Sequence, residues 1–182
     1  MHMSICLLTE IRCVDGTGTE LATRLTEDKV RQSAFSILNS NTVCSIATVT
    51  PEGRSHINAA YFSYSAEYEV FYLSSPSSVH SRNLSGNSSM AVTVFSSTPA
   101  WGSPSVGIQL FGSADEPSGI PADTAERSYG MRFPDFVKWK AMVGADVAHQ
   151  YKFYRCLVDS LKILDERNFG DSVWVCASIL RK

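Results

Sequence analysis

The feature that most limits the fold is a series of short segments in which apolar and polar residues alternate, each closed by a turn signal. VCSIATVT (43–50) places Val43, Ser45, Ala47 and Val49 on one face and Cys44, Ile46 and Thr48 on the other, the period of a strand. Pro51-Glu52-Gly53 then supplies a preset turn dihedral and a permissive exit. RSHINAAYFSY (54–64) returns as a second strand, followed by EVFYLSS (69–75), MAVTVFSS (90–97) and SVGIQLFGSAD (105–115). KFYRCLVDSLKILDE (152–166) and DSVWVCASIL (171–180) close the series as a strand pair. At least six strands in this grammar, with helices between some of them, predict a mainly β protein with peripheral helices. The expected architecture is a small antiparallel barrel and not a βαβ sheet.

The helical segments read as covers. TEDKVRQSAFSILNSN (26–41) starts with a capping Thr26 and acids Glu27 and Asp28, and sets Val30, Ala34, Ile37 and Leu38 on one face. PSSVHSRNLSGNSS (76–89) suits a short helix capped by Ser77 or Ser78, with Val79 and Leu84 inward. Two further helices, at 121–133 and 134–144, form an insertion before the last strand pair. Residues 1–25, with Gly16, Gly18 and scattered Thr, are expected to be a loosely ordered lead-in, leaving 26–182 as one domain. A chain of 182 residues, 44% hydrophobic, can bury a core without staples.

Composition excludes several functions. Sixteen Lys plus Arg against eighteen Asp plus Glu give a net charge of -2, which argues against nucleic acid as a partner. No apolar run reaches the ~18 residues of a membrane helix, and the first residues carry no basic leader, so a cytoplasmic protein with no membrane partner is expected. Five cysteines (Cys6, Cys13, Cys44, Cys156, Cys176) without a C-x-x-C pair read as reduced, packed thiols. His2, His56, His80 and His149 lack paired-ligand spacing, so no metal site is expected. There is no G-x-S-x-G elbow, and no residue is singled out as catalytic. Trp174, between Val173 and Val175, suits barrel packing or the cover of a ligand at a strand edge; Glu166-Arg167 suits a solvated hairpin turn.

Fixed positive charge is sparse where the strands are dense. Between Val43 and Ile120 there is no Lys, and the only Arg residues are Arg54 and Arg82. Any anion bound by this core must therefore use those two, His80, or the unpaired amides of a helix N-terminus. Ser74, Ser75, Ser77, Ser78 and Ser81 gather at the predicted strand-to-helix junction. Their hydroxyls and amides, completed by Arg82 or a protonated His80, would form a phosphate cradle. The same residues also suit a Ser-rich surface loop with a capped helix.

The stretch from about 35 to 115 resembles the pyridoxamine 5'-phosphate oxidase-like, FMN-binding split-barrel family. ATVTPEGRSHINAAYF (47–62) is similar to its opening hairpin, EVFYLSSPSSVHSRNL (69–84) to its third strand with the phosphate-binding turn and helix, SMAVTVF (89–95) to the next strand, and GIQLFGSAD (107–115) to the strand carrying an apolar-Gly-x-Ala signal. The resemblance implies an antiparallel six-stranded split β-barrel, FMN as cofactor, oxidoreductase activity on a small molecule, and a homodimer with sites at the interface. Asn58, Ala59 and Ala60 would then line the isoalloxazine ring with His56 nearby, and Gln109 would lie near the ring. Ser74 and Ser78 would face the ribityl chain or phosphate. His80 stands where that family usually has a phosphate-pairing Lys, and Arg82-Asn83 match the Arg-Asn pair after it. Asn58 replaces an Arg of the vitamin-forming oxidases, and their Trp- and Arg-containing C-terminal signature is missing, so a true pyridoxamine phosphate oxidase is not expected. Two other readings of the same barrel are a deazaflavin reductase, disfavoured by the scarcity of basic residues, and a non-catalytic flavin- or haem-binding protein. The loop at 98–105 and the helices at 121–144 are expected to shape the substrate side of a groove.

Overall fold

A computed structural model describes residues 6–148 and 150–182. His2 and His149, weighed above as ligands, lie outside them. Six antiparallel strands close a barrel in the order β8 (Lys152–Asp165), β5 (Glu69–Ser74), β4 (Ser55–Tyr64), β3 (Val43–Val49), β6 (Ser89–Phe95) and β7 (Val106–Asp115), with β7 returning to pair with β8. Beyond the barrel, the sheet continues from β8 through β9 (Trp174–Arg181) to β1 (Cys6–Val14) and the short β2 (Glu20–Leu21). The mainly β barrel expected from the alternation is the observed fold. No helix among the described residues is long and apolar enough to cross a membrane.

The barrel depends on the length of β8. Along one edge, residues 155–165 pair with β7; along the other, residues 152–157 pair with β5 and residues 160–164 with β9. The hand-over falls at Val158, whose N–H donates to the Tyr68 carbonyl at 3.3 Å. Its carbonyl accepts from Arg181 Nη2 at 2.5 Å, so the split leaves neither backbone group of Val158 unsatisfied. Tyr68 reaches this position with φ of 58°, a left-handed conformation costly for a bulky residue. Burial of its ring, 1% exposed and stacked 5.0 Å from Phe35, offsets that strain.

Residues 6–14 correct the expected lead-in: they form β1, paired with β9 from Cys6↔Arg181 to Val14↔Trp174. A bulge between Thr9 and Arg12, with Glu10 at φ 52°, interrupts the alternation and hides the strand from a period-two reading. The Gly- and Thr-bearing stretch is only the turn from β1 to β2. The folded unit thus includes residues 6–14.

Helix α1 (Glu27–Ser40) is capped by Thr26 and buries Val30, Ala34, Ile37 and Leu38 as expected, packing on β1, β6 and β7. It buries Ser33 as well, which donates to Asp165 Oδ2 at 2.6 Å. Helix α2 (Val79–Gly86) follows β5. Helices α3 (Ile120–Arg132) and α4 (Pro134–Ala148) form the insertion, and α5 (Glu166–Phe169) links β8 to β9. α1 has no basic residue in its last turn, and Arg132 of α3 supplies one by donating to the carbonyls of Leu38, at 2.7 Å, and Asn41. The Arg132 guanidinium also lies 4.9 Å from the Phe62 ring centre, which ties the insertion to the barrel wall.

Gly112 carries the clearest steric demand. Phe111 faces Ser160 while Gly112 faces Val158, so Asp159 is an extra residue in β8 and the two strands press together. A Cβ on Gly112 would lie 2.1 Å from the Leu157 carbonyl oxygen and 2.9 Å from Val158 Cα. Backbone cannot yield as a flexible side chain does. Gly112→Ala is expected to destabilise the protein by about 3 kcal/mol, read as a lowered urea midpoint at constant m; an unchanged midpoint would refute the packing argument.

Candidate functional site

The cap of α2 decides what its residues can do. Ser78 has extended backbone dihedrals and its Oγ accepts from the Ser81 N–H at 3.4 Å, so the helix starts at Val79. That phase turns His80, Ser81 and Asn83 inward and leaves Val79 42% exposed, opposite to the expected inward Val79. Leu84 is half-buried against the core. His80 Nε2 lies 2.7 Å from Ser74 Oγ and 3.0 Å from Ser78 Oγ, and these two hydroxyls are 3.1 Å apart. Asn83 Nδ2 donates to Thr48 Oγ1 at 3.0 Å, with both side chains buried. Ser74, Ser78, His80 and Asn83 are therefore brought together, as a latch fastening α2 to β3 and β5.

This geometry corrects the expectation of a protonated His80. The ring is 7% exposed, 6.0 Å from Tyr72 and 6.3 Å from His56 between centres. Burial, and secondarily the neighbouring His56, hold its pKa below the ordinary histidine value, so near neutrality it is uncharged. Arg82 lies on the exposed side of α2, where Nη1 donates to the Ser77 carbonyl across the serine turn. Ser75 and Ser77 hydroxyls share a 2.8 Å hydrogen bond beside it. Of the cations considered at this turn, Arg82 alone is available.

The set expected to line a flat ring divides across β4. His56, Asn58 and Ala60 are half-buried in one register, with His56 Nδ1 buried and unpartnered. Ile57, Ala59 and Tyr61 point the other way, and Ile57 and Tyr61 are 69% and 60% exposed. Cross-strand pairing continues that outer face. One row runs Ala59–Ser45–Thr93–Gln109 and the next Ile57–Ala47–Ala91–Phe111. Small side chains thus form a shallow strip across β4, β3, β6 and β7, bordered by the exposed Ile57, Tyr61, Phe95 and Phe111. Ala59 and Gln109 share it; His56, Asn58 and Ala60 do not.

Gln109 also floors a cavity of about 900 Å³ under the loop joining β6 to β7. Phe95, Trp101, Leu164, Arg167 and Trp174 line it with the loop itself. Ala100–Ser103 is a turn with Gly102 at φ 78° and the Ser103 N–H bonded to the Ala100 carbonyl at 3.1 Å, which holds Trp101 fully exposed. Glu166, expected in a solvated turn, is structural: its carboxylate accepts from the Ser105 N–H at 2.6 Å and the Ser172 N–H at 3.1 Å. Those amide bonds hold its pKa below the usual glutamate value. Trp174 is half-buried outside β9, not inside the barrel, with Lys162 Nζ 4.3 Å from its ring centre. The loop at 98–105 shapes this groove as expected, whereas α3 packs on β4, β5 and β8 and α4 on α3. Arg167 and Trp174 were not predicted as site residues; only their flanking turn signal and strand-edge position pointed here.

The five cysteines are unpaired, and burial pushes Cys44 and Cys156 up to about 12, which removes both as thiolates at neutral pH. Comparison with known proteins finds no matching family model and no matching curated protein. Solved structures do match. A haem-binding protein from Mycobacterium smegmatis aligns with a TM-score of 0.65 at 15% identity, over 88% of this chain and 59% of its own. A candidate pyridoxamine 5'-phosphate oxidase from Listeria innocua gives 0.59 at 14% identity, over 74% and 98% of the two chains. A FAD-binding protein from Mesorhizobium loti gives 0.53 at 13%, over 93% and 99%. The chain spans about three fifths of the mycobacterial protein's length. At such identities the likeness is one of fold: the chain has the split β-barrel architecture that these proteins share.

Proposed function

We propose that the protein is an FMN-dependent oxidoreductase of the pyridoxamine 5'-phosphate oxidase-like type, working on a small molecule as a homodimer with two equivalent sites. The observation that carries this reading is the flat outer strip of Ala59, Ser45, Ala47, Ala91 and Thr93, rimmed by exposed Ile57, Tyr61, Phe95 and Phe111. A planar ring can lie on such a strip, and a second copy can cover it, since an apolar sheet face gains burial by symmetric pairing. Continuing the Phe62↔Tyr72 register brings Ser74, and the serine turn after it, level with Ala60. The phosphate would then meet Arg82, the first-turn amides of α2 and the Ser75 and Ser77 hydroxyls. FMN, when bound, supplies hydride or electron transfer. The chain's part is to anchor the phosphate, provide the apolar wall and exclude water from the ring.

His80 has a different part in this reading from the lysine it replaces. Neutral and latched to Ser74 and Ser78, it fixes the turn that carries the donors. A second reading, a flavin- or haem-holding barrel without turnover, draws its support from the single remaining cation at the turn. The scarcity of basic residues between Val43 and Ile120 disfavours a deazaflavin with its more anionic tail.

Arg82→Ala is expected to weaken FMN binding by about tenfold or more, the loss of a charge-assisted contact, in an absorbance or fluorescence titration; undiminished affinity would remove the phosphate site. His80 should make no charge contribution near neutrality, so wild type and His80→Gln should share the same pH dependence of FMN affinity between pH 7 and 8, whatever their difference in absolute affinity. Stability should show the opposite contrast. Because burial holds the folded-state pKa below the ordinary histidine value of about 6.5, the unfolded chain takes up the proton first, so wild-type stability falls as pH drops below about 6.5. His80→Gln should flatten that component. Ala59→Arg should give a monomer on sedimentation that no longer takes up FMN; a monomer that still binds FMN would refute placement of the site at the interface.

A further inference from the structure

The groove beneath Trp101 has a chemistry of its own. Its walls are aromatic and apolar: Trp101, Trp174, Phe95 and Leu164, with Gln109 on the floor. A volume of about 900 Å³ lies within the range of small-molecule sites, about 300–1,000 Å³. No carboxylate lines it, and Arg167 does. Lys162 stands beside Gln109 across the β7–β8 ladder and over the Trp174 ring. Among the described residues neither Lys162 nor Arg167 forms an ion pair. The nearest acid in sequence, Glu166, is occupied by the amides of Ser105 and Ser172. The same two bonds pin the loop end, so the groove is built and not a chance gap between mobile segments.

We infer that this groove is the substrate site and takes a planar aromatic anion, an arene carboxylate or sulfonate in class. Two indoles supply stacking surface, and Lys162 with Arg167 supplies positive charge facing no acid. A cationic ligand is disfavoured because Lys162 already occupies a face of Trp174. The term substrate rests on the flavin reading above, since Gln109 belongs both to the groove floor and to the row that starts at Ala59. The ligand class rests on the groove alone.

The test titrates the full-length protein, after incubation with FMN, with 8-anilinonaphthalene-1-sulfonate and with N-phenyl-1-naphthylamine, the same ring system without the sulfonate. The sulfonate should bind about tenfold tighter or better and quench Trp101 fluorescence. Lys162→Gln/Arg167→Gln should abolish that preference and leave the neutral probe unchanged, while Trp101→Ala should weaken both. All three positions are at least partly solvent-exposed, so these variants are expected to fold, which far-UV circular dichroism checks. Equal affinity for the two probes, or sulfonate binding indifferent to the double variant, would overturn the inference. Displacement of the sulfonate by FMN, one for one, would also overturn it, by showing that the groove belongs to the cofactor. Sulfonate binding with the expected dependence in a protein that takes up no FMN would uphold the ligand class and remove the flavin reading instead.

Discussion

The fold hangs on the crossing of β7 and β8 at Gly112. One strand of 14 residues must pair with β7 along one edge while serving β5 and then β9 along the other. The extra residue at Asp159 increases local twist and lets a single strand turn from the barrel into the outer sheet. The close approach this requires is possible because Gly112 has no Cβ. Everything that positions the site follows from that closure. β5 is held at its register, the serine turn leaves from its end, and the outer faces of β6 and β7 become the floor of the groove.

Closure also explains why small residues collect on the outer strip. Ala47, Ala59 and Ala91 sit at outward positions where most barrels of this size present polar side chains to water. Apolar residues there are not used by the chain's own core, which is filled from the opposite faces by side chains such as Ile46, Phe62 and Val92. Small side chains rimmed by exposed Ile57, Tyr61, Phe95 and Phe111 are what the homodimer proposed above would cover.

Much of this was legible in the sequence, and the failures have physical causes. Period-two alternation located β3 to β9 because each strand has one face in the core, and the Thr26 cap with its acidic first turn located α1. β1 escaped because the left-handed Glu10 breaks its period. The position of α2 is legible in the sequence, but its facing is not: Val79, expected inward, is exposed. Hydrophobicity put Val79 inside, whereas the Ser78 cap fixes the helical phase and fills the inward side with His80 and Asn83, polar residues whose partners lie on β3 and β5. No one-dimensional pattern shows that Ser74 and Thr48 wait there. For Trp174 the two readings differ by facing: between two valines it looks buried, but alternation sends it to the face opposite Val175, the strand-edge position.

The distribution of charge ties the two candidate regions together. His80, at the serine turn, reads in sequence as a partial cation near neutral pH. In the folded chain it is no cation, because burial against Tyr72 disfavours its protonated form. What it contributes instead is rigidity, by joining the end of β5 to the cap of α2 through Ser74 and Ser78. Among the described residues, positive charge around the outer strip comes from Arg54 just before β4, Arg82 at the turn, and Lys162 and Arg167 at the groove. Those groups sit where an anion can reach them from solvent, whereas the acid buried at the end of β8, Asp165, is held by Ser33 and Asn168. In the flavin reading proposed above, such an arrangement would draw the anionic parts of a ligand to the edges of the strip and keep water from a planar ring lying on its small side chains.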